Sequence, residues 1–490
     1  MGRIFPVAIT RNVRFGQTTL KLMVLVFLIF SRLDSIAGVY AFEKTNVKGR
    51  AFAAEVDPQA KPGAPSAVER QFTLDNGLKV FMYERHALPL VNIVVAVNAG
   101  SKDESAETNG LVHLLEHFIL FRGTEVRSGS KIADDIRRHG AYFNAQTGQD
   151  MTLFEISLPA EHADFGLSNQ KEILFNLKIE DQELEAEKEV VLEELSQIRD
   201  DPLRWASALL YQNLFAGHPY GRPVFGQAEM IRALTAEQMN RFYKTHYVPS
   251  NCALAIVGDF AAEDMEGKVR SCFGPVPKTD FAPVQIAALK PLQKSVEIQE
   301  TMDVQEAYLV IGTAAPDDGS PDQYGADILT EILGRGINPM LYGPLKGQRN
   351  LIHAAGMGFL PLKYGGAFEI YITLNPGRIG AVKNQAIQFL RQVRNENFSR
   401  DDVFGDARMY AYDYLESAKN QISFNQQKAE ENGLELASSL AMHILLRDDA
   451  APANYLDHIK EVSSSDLRKL AAKYLSRGEY VLVAIVPKKK

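Results

Sequence analysis

Gly110-Leu111-Val112-His113-Leu114-Leu115-Glu116-His117-Phe118-Ile119-Leu120-Phe121-Arg122-Gly123 is the stretch on which the reading of this chain turns. At about 100° per residue, a helix brings His113, Glu116 and His117 within about a third of its circumference. Every other position from Leu111 to Phe121 is apolar, and a helix that is hydrophobic nearly all round is a buried one. Its polar stripe must then be satisfied internally or by something bound. Imidazoles four residues apart can hold one divalent metal, and a carboxylate beside them can act on water at that metal. The competing reading is a core helix with two hydrogen-bonded histidines. That reading suits a lone histidine better than this trio.

A metal needs a third protein ligand. The sequence Ile179 to Arg199 reads as a long charged helix on which Leu184, Glu187, Val190, Val191, Glu194, Leu195 and Ile198 share one face. Glu185, Glu189 and Glu193 point the other way, as an ordinary solvated charge stripe. Glu187 and Glu194 are thus carboxylates two turns apart on an apolar face, where an uncompensated charge costs several kcal/mol. A metal would compensate one, and a hydrogen bond to a ligating histidine could hold the other. Buried salt bridges are the alternative. Helix periodicity alone places Glu194, and not its neighbour Glu193, on that inner face.

Working outward, the first half alternates strands and helices. Strands are expected around Phe72 to Leu74, Lys79 to Tyr83, Val91 to Asn98, Tyr142 to Asn144, Thr152 to Leu158 and Ala253 to Val257. Helices are expected ending at His139 and over Ala206 to Phe215 and Thr235 to Tyr243. The second half repeats the order. Leu467 to Tyr474 followed by Tyr480 to Val486 matches Met239 to Tyr247 followed by Ala253 to Val257, and Ala307 to Ile311 matches Val91 to Asn98. Aligning Gly110 with Gly325 puts Ile328, Glu331 and Ile332 at the positions of His113, Glu116 and His117. The second copy therefore keeps no histidine ligand.

Residues 1–41 read as a secretory signal peptide. Arg3, Arg11, Arg14 and Lys21 precede the apolar run Leu22 to Phe30, no acidic residue appears before Asp34, and Val39-Tyr40-Ala41 is a small-residue cleavage site. The apolar run is shorter than the ~20 residues of a spanning helix. An uncleaved membrane anchor and a mitochondrial transit peptide remain open, with the periplasm favoured. Residues 42–69 read as a flexible spacer, 70–275 as the metal-bearing domain, 276–293 as a linker and 294–490 as its homologous non-catalytic partner. About 420 residues beyond the leader exceed one ordinary core, which fits two domains. A net charge of −8 argues against a nucleic-acid partner. Two cysteines, Cys252 and Cys272, exclude a disulfide framework or cysteine zinc cluster, and whether they pair stays open.

The motif His113-Leu-Leu-Glu116-His117, then 76 residues, then Glu194, with Glu187 seven residues before it, resembles the pitrilysin-type zinc peptidases. Gly100-Ser101-Lys102-Asp103-Glu104, Phe143-Asn144-Ala145, His218-Pro219-Tyr220-Gly221 and Tyr247-Val248-Pro249-Ser250-Asn251 also resemble that family's text. The chain looks closest to the two-domain branch containing mitochondrial processing peptidase subunits and bacterial periplasmic homologues. The resemblance implies an α+β fold of two homologous domains, each a β-sheet backed by helices, forming half of a peptide-enclosing chamber. It implies a zinc metallopeptidase acting on extended or unfolded peptides. His113, His117 and Glu194 would hold one Zn²⁺ per chain, Glu116 would serve as general base, and Glu187 would orient a ligand. The strand around Phe143, Asn144 and Ala145 would pair with substrate. The alternative within the same fold is a non-catalytic assembly subunit. Active members often carry an arginine and a tyrosine, seven residues apart, in the second domain. Here Lys346 and His353 stand at those substrate-binding positions, which suggests a homologous partner subunit supplying the pair, or else a homodimer.

Overall fold

A computed structural model describes residues 68–336, 339–346, 352–399, 413–447 and 454–488. The leader and most of the spacer therefore lie outside the described residues. Two mixed β-sheets organise the rest. The first has strands β1 (Val68–Thr73), β2 (Lys79–Glu84), β3 (Leu90–Val97), β4 (Tyr142–Thr147), β5 (Thr152–Pro159) and β6 (Cys252–Gly258), in the order β1-β2-β6-β3-β5-β4. The second has β7 (Val296–Met302), β8 (Ala307–Ala315), β9 (Ile352–Leu360), β10 (Gly366–Leu374) and β11 (Val481–Pro487), in the order β7-β11-β8-β10-β9.

With β1 set aside, the two orders are one topology. In each sheet the last strand inserts beside the first, pairing parallel with it and antiparallel with the next (β2 with β6 and β7 with β11; β6 with β3 and β11 with β8). The duplication expected from sequence is thus present in strand connectivity and direction. The helix carrying His113, Leu111–Phe121, joins β3 to β4, and its counterpart Gln323–Thr330 joins β8 to β9. Ile328, Glu331 and Ile332 are all buried there, on that helix and the wider turn Glu331–Arg335 that extends it.

Alternation along each strand sends one set of side chains to each face. In the first sheet, Val80, Met82, Ile93, Val95, Phe154 and Ile156 point into the main core, where the metal-helix candidate packs. Phe81, Val94, Ala96, Leu153, Ala253 and Ala255 point the opposite way and meet Ala437, Leu440, Ala441 and Ile444 of the helix Gly433–Arg447. That helix belongs to the second half of the chain. Reciprocally, Ala206, Leu210 and Leu214 of the helix Pro202–Leu214 pack on Val310, Val481, Val483 and Ile485 of the second sheet. The boundary at 276–293 separates the two sheets in sequence, but each half covers a face of the other's sheet. A polar seam adds to this exchange. Buried Asp150 accepts hydrogen bonds from Tyr220 Oη (2.6 Å) and from the Lys363 backbone N–H (2.9 Å).

Several boundaries differ from those read in sequence. Strand β1 begins at Val68, inside the expected spacer, because pairing with Tyr83 and Glu84 recruits Glu69 and Val68. The charged helix runs Asp181–Asp200, shifted from 179–199. Helices Ala163–Phe175 and Ala262–Phe273 are not among the elements expected from sequence; each lays an apolar side on the first sheet's main core through Leu167, Ile173, Met265 and Phe273. Cys252 lies in β6 and Cys272 on Ala262–Phe273, and both are free thiols.

Candidate metal centre

The helix Leu111–Phe121 starts at Gly110, whose φ of 99° and close approach to Gly226 leave no room for a side chain; a Cβ there would lie 2.9 Å from the Gly226 Cα. Its first turn is capped by Glu104. The carboxylate accepts from the Gly110 (3.0 Å) and Val112 (2.8 Å) N–H groups and from the Asn109 side-chain amide (2.8 Å). Burial pushes the Glu104 pKa up to about 7, with those hydrogen bonds pulling the other way.

Leu111, Val112, Leu114, Leu115, Phe118 and Ile119 are buried, as the apolar pattern requires. The polar stripe faces the helix Asp181–Asp200. His117 Nε2 lies 3.3 Å and His113 Nε2 3.7 Å from Glu194 Oε2. One ligand atom from each of these three residues falls within 4.8 Å of the others. Two helices therefore bring together an N, N, O donor set. Glu185, Glu189 and Glu193 are exposed, and Glu194 is on the inner side as periodicity expects.

Glu187 is 2 % exposed. Its Oε1 accepts from His117 Nδ1 at 3.0 Å, and its Oε2 accepts from Arg122 Nε at 2.6 Å and pairs with Nη2 at 2.5 Å. With Nδ1 so engaged, His117 presents Nε2 to Glu194. Glu116 sits one residue before His117, 7 % exposed, with no ion pair among the described residues.

Charge and burial compete at every member. On His117, burial disfavours the cation, but hydrogen bonds to Glu187 and Glu194 and the charge of Glu116 prevail and push its pKa up to about 10. His113 moves down, through burial and then the neighbouring positive His117. Burial opposes ionisation of Glu194, yet the His117 hydrogen bond and the charges of His113, His117 and Arg204 hold it at about 2. Glu187 is likewise held below its ordinary value against burial, by His117 and then Arg122. Glu116, Glu187 and Glu194 are balanced in the metal-free arrangement by Arg122, Arg204 and a cationic His117. A dication on neutral imidazoles can replace the charge of His117, and the N, N, O set is a normal zinc donor set.

The comparisons with known proteins fit this centre. Residues 79–228 match the family described as "Insulinase (Peptidase family M16)", and residues 233–404 match "Peptidase M16 inactive domain". The chain belongs to peptidase family M16. An uncharacterized zinc protease of Mycobacterium leprae is 26% identical over 69% of this chain and 76% of its own length. Another, YmxG of Bacillus subtilis, is 22% identical over 85% of this chain and 98% of its own. Among solved structures, a protease from Helicobacter pylori superposes with a TM-score of 0.77 at 21% identity, over 86% of this chain and 100% of that one. A peptidase M16 inactive domain from Pseudomonas fluorescens gives 0.73 at 20% identity, over 86% and 98%. The M16 match and the strand order together establish two related α+β halves.

The other residues singled out in sequence lie elsewhere. Phe143, Asn144 and Ala145 are on β4, which among the described residues pairs only with β5 and so forms the edge of the first sheet beside the helix Leu111–Phe121. His353 is half exposed on β9, the matching edge of the second sheet, with Nε2 3.8 Å from Glu306. The backbone of Lys346 closes the short helix Tyr342–Lys346, but its side chain and residues 347–351 lie outside what is described. Sequence reasoning missed Glu104, Arg122 and Arg204. Arg122 directly precedes Gly123 at the end of the apolar run, where a cation favours a helix C-terminus. That was the one local signal available.

Proposed function

We propose that this M16 chain is a zinc metallopeptidase that hydrolyses extended or unfolded peptides. The observation that carries the reading is the convergence of His113, His117 and Glu194 from two helices, with Glu116 on the same stripe. His113, His117 and Glu194 would hold one Zn²⁺. Zinc bound there would supply Lewis acidity toward the scissile carbonyl and lower the pKa of water. Glu116, not a ligand, would accept the proton of the attacking water and return it to the leaving amine. Glu187 would fix the ring orientation and tautomer of His117. Substrate would add to the edge strand β4 at Phe143, Asn144 and Ala145, where main-chain pairing selects extended conformation over sequence.

The second half carries no histidine at the positions of Ile328, Glu331 and Ile332. Lysine at 346 keeps a charge but loses the planar fork of arginine, and His353 lacks the reach of tyrosine. We infer that a homologous partner subunit supplies an arginine–tyrosine pair and closes the other half of a peptide chamber. The leader points to export into the periplasm.

Zinc analysis of the purified mature chain, together with hydrolysis of an unstructured peptide with and without a chelator, tests the proposal. One zinc per chain with weak, chelator-sensitive hydrolysis that rises on adding the partner is expected. A chain that binds no zinc at micromolar concentration would favour the non-catalytic subunit. Full activity alone, lost on changing Lys346 or His353 to alanine, would make the chain self-sufficient.

A further inference from the structure

Arg122 stands at the junction of three things the site needs. Its backbone N–H closes the last turn of the metal helix on Phe118 O at 2.9 Å. Its side chain crosses to the helix Asp181–Asp200, where both Nε and Nη2 reach the same oxygen, Glu187 Oε2. The other oxygen of that carboxylate receives the Nδ1 proton of His117. The chain of contacts is therefore Arg122, Glu187, His117 and then the face that meets Glu194.

A carboxylate on a helix can turn about its last side-chain bond, and one buried with a single partner has no fixed plane. Two N–H groups of a rigid guanidinium on Oε2 remove that freedom and leave Oε1 aimed at the imidazole. Lysine could supply the charge but a single point of contact. Resting on the zinc-peptidase reading, we propose that Arg122 is a positioning residue for the metal centre: through Glu187 it sets the orientation and tautomer of His117, and thereby the affinity for zinc. A purely structural tie between the two helices would make the same contacts with a different consequence. It would stabilise the fold and leave metal affinity alone.

The test is a double-mutant cycle on the full mature chain, reading zinc affinity by competition with a chromogenic chelator and the melting temperature of the metal-free protein in parallel. Arg122→Met should weaken zinc binding about 10- to 100-fold, the usual effect of losing a partner behind a ligating histidine. Arg122→Lys should recover part of that loss. Glu187→Gln should weaken binding similarly, and adding Arg122→Met to it should weaken it little further, because the arginine then has no carboxylate to act through. Arg122→Met with zinc affinity within two-fold of wild type, or losses that simply multiply in the double variant, would overturn the inference while leaving the zinc-peptidase reading intact. If Arg122→Met does not fold, Arg122→Lys decides: a lowered melting temperature with unchanged zinc affinity would mark a structural tie only. A wild-type chain that takes up no zinc would instead sink the proposed function, and this inference with it.

Discussion

Zinc uptake by this chain should release at least one proton over the neutral range, and His117 should supply one. In the metal-free protein, Nδ1–H of His117 faces Glu187 and Nε2 faces Glu194, and those two carboxylates push its pKa up to about 10. A metal ligand must present a bare Nε2. His113 is shifted down and Glu194 is held at about 2, so neither carries a proton to lose above about pH 6.5. Only one of the three ligands is then protonated between pH 7 and 9. The apparent zinc dissociation constant should fall at least about tenfold per pH unit there, about 1.4 kcal/mol for each unit and proton, and more steeply where water on the zinc also ionises. Chelator competition at several pH values, corrected for the chelator's own titration, reads the slope. The metal-free fold should respond with the opposite sign. A histidine whose folded pKa lies above its unfolded 6.5 contributes stability that is complete below 6.5 and lost as pH rises toward about 10. The metal-free protein should therefore melt earlier at pH 9 than at pH 7, and saturating zinc should remove most of that difference. A zinc affinity independent of pH from 7 to 9 would refute the argument, since His117 would then already be neutral.

Three further outcomes are expected. Glu194→Gln should abolish stoichiometric zinc while Glu193→Gln, on the solvent side, retains it; metal analysis giving the reverse would overturn the ligand assignment. Glu116→Gln should keep zinc and fold but lose peptide hydrolysis by at least about 100-fold, the scale of a general base; wild-type turnover by this variant would remove Glu116 from the mechanism. Tyr220→Phe should cost about 1–3 kcal/mol in urea unfolding, because it leaves buried Asp150 and the Tyr364 N–H each short of a partner (2.6 and 3.2 Å). A loss below a few tenths would mean that water replaces the phenol there.

The parts of the site legible in sequence are those governed by helical period. Two histidines and a glutamate on one polar stripe of an apolar helix, and two more glutamates on the inner face of a second helix, follow from spacing alone, as does the outward side of Glu193. What spacing does not carry is which distant residue answers a buried charge. Glu104 reaches the first turn of the metal helix from a preceding loop, and Arg122 reaches Glu187 across 65 residues of sequence. The first is a loop geometry, and the second depends on how Leu111–Phe121 and Asp181–Asp200 lie against each other; neither has a periodic trace.

The exchange of helices between the halves is the larger omission, although its mark is present in the residues. Phe154-Glu155-Ile156 in β5 and Phe368-Glu369-Ile370 in β10 are the same tripeptide on corresponding strands. Glu155 accepts from Ser438 at 2.7 Å, and Glu369 accepts from Ser207 and Tyr211. Ala206-Ser207 and Ala437-Ser438 are likewise equivalent dipeptides on the two crossing helices. A carboxylate in the middle of a sheet is costly unless something covers it with a donor, and in each half the donor comes from the other half. Read within one domain, Glu155 and Glu369 are two unexplained acids in apolar strands. Read as a pair, they require two reciprocal hydroxyls on two reciprocal helices. That requirement ties the half bearing His113, His117 and Glu194 to the half that bears none. The second half thus has a structural part to play whatever it binds: it supplies Ser438 and the apolar face of Gly433–Arg447 to the back of the sheet whose other side packs the helix Leu111–Phe121.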